Sequence, residues 1–288
     1  MNPRFCLPIL SAAAAALVAT AAAAQPDART PAPVVQAAPV ATYADLVDLG
    51  MTAPVAAHVR LRRAIPLRPA EAVGVSAGFT RFYMEADIVA LIRGEAGMPS
   101  QVRYLIDLPN GADGRQARPA RRSEWIIFAR TVSGRPGELQ LAAPDAQLPY
   151  SPELAERSRA VLREVIAPDA PPAVTGIGRA FHTPGTLQGA SETQIFLQTT
   201  QNQPISITVA REPGAQPRWS VSTSEFVDAG AVQPRRDTLL WYRLACSLPA
   251  ALPPASYADA REHATAINAD YRLVREGLGP CQRLRRRR

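Results

Sequence analysis

Between Thr80 and Gly94 the chain reads TRFYMEADIVALIRG, with Phe82, Met84, Ala86, Ile88, Ala90 and Ile92 at every second position. Successive side chains of a strand point to opposite faces, so this spacing predicts one long β-strand with an apolar face. Neighbouring segments repeat the pattern more briefly. Ala57, Val59 and Leu61 alternate with His58, Arg60 and Arg62, and Val102, Tyr104 and Ile106 alternate in QVRYLID. EWIIFAR is apolar without interruption from Trp125 to Ala129, as a strand covered on both faces would be. GRPGELQLAA turns at Gly134 to Gly137 and returns as a fifth strand. Together with a short helix in TYADLVDL, capped by Thr42 and Asp45, these strands predict a β-rich domain over 42–150, a small bent sheet or an OB-like barrel.

The β pattern then stops. Ser151 and Pro152 start a helix whose Leu154, Val161, Leu162 and Val165 form an apolar stripe, and the tetrapeptide APDA stands on either side of it, at 143 and 167. Residues 151–172 are therefore expected to bridge to a second domain over 173–282. There ETQIFLQTT, PISITVARE and RWSVSTSEFV alternate as an antiparallel meander, and two amphipathic helices follow, RDTLLWYRLACSL and the segment after Ser256. In the second helix Ser256 and Asp259 form a capping-box pattern. Ala260, Ala264, Ile267, Tyr271, Val274 and Leu278 form its stripe. The expected fold class is α+β.

Residues 1–24 place Arg4 before an apolar run from Leu7 to Val18 and end in Ala22, Ala23 and Ala24. That order reads as a secretory signal peptide cleaved near Ala24; the rival reading is an uncleaved anchor, against which the alanine content argues. Residues 25–41 are rich in Pro and Ala and read as a linker. Loss of Cys6 with the signal leaves Cys246 and Cys281, which in an oxidising compartment are expected to form a disulfide.

All 32 basic residues counted with lysine are arginine, so lysine Schiff-base and general-base chemistry are excluded. The net charge of +7 comes mostly from the terminal RLRRRR, residues 283–288, read as a basic tail. With that tail and Arg4 set aside the chain is nearly neutral, so no nucleic-acid partner is expected. The tail, Arg285 to Arg288 above all, has anionic lipid or lipopolysaccharide as its possible partner, and a merely solvated tail is the plainer reading. The loop between the third and fourth strands carries Arg115, Arg118, Arg121 and Arg122 without interleaved aromatic residues.

Candidate chemistry is sparse. GVSAG, Gly74 to Gly78, matches the Gly-x-Ser-x-Gly pattern of a nucleophile elbow at Ser76. An elbow needs a helix after the serine, and here a strand follows, so a glycine-rich hairpin loop is the preferred reading. DAREH could set Asp259 and His263 on one helical face as metal ligands with Glu262 as base, but lacks a third ligand; a cap and a flanking histidine explain it as well. His58 is expected on a solvated strand face, where Glu85 and Asp87 could lie opposite. His182 is expected at a strand end before a turn. No cofactor-binding fingerprint is present, and no cofactor is expected.

The segments APDAQLPYSPEL, APDAPPAVTG, SETQIFLQTT and RDTLLWYRLAC resemble those of a group of exported alphaproteobacterial proteins, over about Tyr43 to Cys281. No activity is assigned to that group, so the resemblance implies export and a shared fold and supplies no site residues. The expected function is that of an exported soluble envelope protein, a non-catalytic binding or structural module with a protein or envelope polymer as partner. The alternative is a periplasmic hydrolase using a carboxylate pair or Ser76.

Overall fold

The computed structural model describes residues 40–201, 203–223 and 231–285. The segment expected to be a signal peptide, the expected linker as far as residue 39, and Arg286 to Arg288 lie outside the described residues. Helix α1 (Tyr43–Thr52) begins at a capping box: Thr42 Oγ1 accepts from Asp45 N at 3.1 Å, and Asp45 Oδ2 accepts from Thr42 N at 2.9 Å. Strands β1 (Val55–Pro66), β2 (Phe79–Arg93), β3 (Gln101–Pro109), β4 (Glu124–Thr131) and β5 (Leu139–Leu141) follow. Neighbours along the order β3-β2-β1-β4-β5 are antiparallel.

The two ends of this sheet meet. Arg103 N on β3 donates to Gly137 O at 2.8 Å, beside a parallel bridge between Arg103 and Glu138. The resulting cycle, β1-β2-β3-β5-β4 and back to β1, is the strand order of a nearly closed, OB-like Greek-key barrel. Its interior holds Val59, Leu61, Phe82, Met84, Tyr104 and Ile127. Tyr104 is the one phenol among the described residues of this interior, and its hydroxyl donates to Gln147 Oε1 at 2.6 Å. Without that acceptor a buried hydroxyl would cost about 1–3 kcal/mol.

β6 (Gln147–Pro149) also pairs with β4 and continues the line of β5. The chain leaves the ladder only between them, where Ala142 N donates to Phe128 O and Phe128 N to Ala146 O. One expectation is revised in β2. Phe82, Met84, Ala86 and Ile88 line the barrel, but Ile92 packs on the opposite core. A register shift against β1 causes this: Val89 is an extra residue between Ile88, opposite Val59, and Ala90, opposite His58, and one inserted residue moves the following side chains to the other face.

Helix α2 (Pro152–Ile166) is capped by Ser151 and sits between the APDA segments as expected. The second sheet is the expected meander, β10-β9-β8-β7, built from β7 (Val174–Pro184), β8 (Ser191–Thr199), β9 (Ile205–Arg211) and β10 (Arg218–Ser222). Helix α4 (Ala264–Leu278) covers it, α3 (Leu239–Ala245) packs against α2 and α4, and a disulfide joins Cys246 to Cys281. Helix α4 starts later than its stripe suggests. Pro254–His263 forms 3₁₀ turns broken at Tyr257 and Ala260, and Ser256 Oγ donates back to Pro253 O at 2.6 Å instead of capping forward. The stripe from Ala260 onward still points inward, with Ile267, Tyr271, Val274 and Leu278 buried.

One apolar cluster runs from Ala41 through α1, the outer face of β4, α2, the second sheet and α4. The two halves thus share a core across residues 151–172. Among the described residues no helix is long and apolar enough to cross a membrane.

Two measurements probe these contacts. A Cβ at Gly277 on α4 would stand 2.6 Å from Trp219 Nε1 on β10. Gly277→Ala, which gains about 1 kcal/mol in an open helix, is expected instead to destabilise by about 1–3 kcal/mol in urea unfolding. The disulfide closes a separation of 35 residues. Cys246→Ala with Cys281→Ala is expected to lose about 4 kcal/mol by the same measurement.

Candidate functional site

The excursion between β5 and β6 has a consequence for the surface. Ala142 to Asp145 stand clear of the ladder opposite the C-terminal end of β3, and α1 crosses beside them. The space between is a cleft of about 780 Å³, within the range of small-molecule sites. Leu49 and Met51 of α1 form one wall, Ile106 and Leu108 of β3 another, and Leu148 lies beside Gln147, the acceptor of Tyr104. Phe79, Val40 and Leu284 extend the apolar lining.

Four carboxylates reach this cleft, and each is already committed. Asp45 accepts from Thr42 N, from Leu284 N at 3.0 Å and from Arg285 N at 3.3 Å. Asp48 takes Arg283 Nε at 2.6 Å and the Tyr242 hydroxyl. Burial first, and the bond to Asp48 second, raise the Tyr242 phenol above its usual range and keep it protonated. Asp107 holds Arg81 through two parallel bonds at 2.6 and 2.8 Å, and Asp145 pairs with Arg285. No two of these carboxylates stand free to divide acid and base roles, which a glycosidase-type mechanism requires.

These bonds revise the first half of the expected tail, residues 283–285, while Arg286 to Arg288 lie outside the described residues. Arg283 and Arg285 are docked on α1 and the β5–β6 excursion, with Thr42 Oγ1 donating to Gln282 O at 2.9 Å. The sequence signal was present in the acids at 45 and 48, one helical turn apart and opposite in charge to RLR. Nothing in the linear order placed them together.

The other candidates fall elsewhere. Ser76 is exposed in a turn, Gly74 and Gly78 have φ of 79° and 81°, and Phe79 N donates to Ser76 O as β2 begins. No helix N-terminus follows the serine to form an oxyanion hole. His58 is not on a solvated face. It is buried, stacked on Tyr150 at 3.7 Å, and its Nε2 contacts Glu124 Oε2 at 2.9 Å. The reason is that β1 is covered on both faces near its start, and its partner carboxylate comes from β4. Glu85 and Asp87 instead face Arg63 and Arg60 in register, and Asp87 pairs with Arg62 at 3.2 Å.

Asp259 and His263 do not share an α-helical face, because the segment is 3₁₀ with breaks. Among the described residues no group of three His, Cys, Asp or Glu is placed to hold a metal. Arg115, Arg118, Arg121 and Arg122 are exposed in the loop before β4.

His182 lies within β7 and is part of a buried network that the sequence did not signal. Its Nδ1 lies 2.8 Å from Thr193 Oγ1 on β8. Thr193 donates its proton to Asp270 of α4, and Asp270 accepts from Arg211 Nε at 2.8 Å. The threonine oxygen is left to accept from Nδ1–H, which fixes the tautomer. His263 lies beside it with ring centroids 5.1 Å apart.

No family model matches the chain, and no curated protein matches its sequence.

Burial lowers the His182 pKa below the usual imidazole value, Asp270 opposing and His263 and Arg211 adding to the shift. The folded protein therefore binds this proton less readily than the unfolded chain. The corresponding stability is complete above about pH 6.5 and is lost as pH falls below it. Urea midpoints measured between about pH 7.5 and pH 5 are expected to drop, and less steeply in His182→Gln.

Proposed function

We propose that this protein is an exported, non-catalytic binding module that receives an apolar ligand or partner segment in the cleft beside α1. The observation that carries the reading is the cleft itself: apolar on facing walls, with each carboxylate at its rim held by arginine or by backbone N–H. Apolar surface removed from water contributes about 25 cal/mol per Å², so such walls favour an apolar occupant over a sugar polymer. Export is supported by the pattern of residues 1–24 and by the Cys246–Cys281 disulfide. Membership of the exported alphaproteobacterial group is part of the same proposal. The hydrolase reading through Ser76 is weaker, since Ser76 opens into a strand and His58 and His182 are bonded to partners elsewhere.

Nile red, an uncharged apolar dye, is expected to brighten on binding the cleft. Leu108→Trp is expected to weaken that binding about tenfold with an unchanged melting temperature. Equal binding by the variant would remove the cleft from the function. Mass spectrometry of protein from the producing cell is expected to give a chain beginning at Gln25 with no free thiol and no adduct after fluorophosphonate treatment. Labelling of Ser76 would instead make it a hydrolase.

A further inference from the structure

The cleft does not end at its own walls. A second hollow of about 730 Å³ adjoins it along the seam where β3 meets β5, and the two share Ile106, Asp107 and Ala142 to Pro144 as lining. Their chemistry differs sharply. Arg81, Arg103, Arg130 and Arg135 line the second hollow, against Asp107 and Glu138.

Pairing decides which of these cations are available. Arg81 is held by both oxygens of Asp107, and Arg135 Nη1 meets Glu138 at 3.2 Å. Arg130 has only a neutral acceptor, Gln140 Oε1 at 3.1 Å. Arg103 has no side-chain partner among the described residues. Glu85 stands opposite it in register but makes no ion pair with it and does not line the hollow. Two exposed guanidinium groups therefore flank the seam, each with donors left for an anion.

An apolar cleft opening beside two uncommitted arginines matches one kind of ligand. We infer that the cleft and the seam together form one site for a small anionic amphiphile, its apolar chain in the cleft and its phosphate or carboxylate head on Arg103 and Arg130. The inference rests on the cleft being the binding site and adds the ligand's chemical class. Arginine suits either head group, because its planar fork donates two parallel bonds to phosphate or carboxylate.

The test compares octyl phosphate, octanoate and octyl glucoside, which share a chain length and differ in head group, by calorimetric titration. At least one anionic compound is expected to bind about tenfold more tightly than the glucoside, and the tighter of the two identifies the head group. Arg103→Gln with Arg130→Gln is expected to remove that preference and leave the glucoside affinity unchanged. Arg118→Gln with Arg121→Gln, the same loss of charge in the loop before β4, is expected to leave all three affinities unchanged. Equal affinity for the three compounds overturns the head-group assignment while the apolar cleft stands. Equal losses in the two double variants overturn it too, since the effect is then the field of the whole protein. Binding of none of the three overturns the cleft reading itself.

Discussion

Burial of β4 on both faces is the interaction on which the rest of the molecule depends. Ile127 and Ala129 point into the barrel, whereas Ile126 and Phe128 point into the core shared by the helices and the second sheet. A strand exposed on one side needs only alternate apolar residues; one that separates two cores needs them at every position. β4 also pairs on one edge with β1 and on the other with β5 and β6. A polar substitution within Ile126 to Ala129 would therefore put an unpaired group into one core or the other.

Helices assemble on the outer face of this strand through a small polar knot. Tyr43 of α1 donates to Glu164 Oε2 of α2 at 2.6 Å, and the same oxygen accepts from Leu239 N at the start of α3 at 3.0 Å. One carboxylate thus satisfies a phenol and one of the open N–H groups of a helix N-terminus, which an apolar contact could not. Burial, then the bond to Glu164, raise the Tyr43 pKa well above the usual phenol range, so it remains a donor under physiological conditions.

Much of the fold could be read in the sequence because its signals are local. The unbroken run at Trp125 to Ala129, the alternation in β3 and in Ile205, Ile207 and Val209, and the caps at Thr42 and Ser151 each specify geometry within a few residues. Where reading went astray, distant partners had prevailed. His58 looked like a solvated residue until β4 supplied Glu124, and the second half of β2 changed face through a bulge that no period-two pattern records. The capping pattern at Ser256 gave way to a bond back to Pro253. The cleft was not legible at all, since Leu49, Ile106, Leu148 and Leu284 approach only when the barrel closes and residues 282–285 fold back onto α1.

That return of residues 282–285 gives the disulfide a second role. Cys281 is held to Cys246 at the end of α3, and the next four residues run directly across α1, where Gln282 O, Arg283, Leu284 N and Arg285 N each find a partner. A short segment held only by a few polar bonds has little to set against the entropy of ordering its backbone, about 1–2 kcal/mol per residue. Fixing its first residue covalently confines the segment near α1 before any of those bonds form. The bonds then need only select one arrangement among few. Leu284 and Arg285 line the cleft, so the same covalent constraint that stabilises the C-terminal helices also shapes one of its sides.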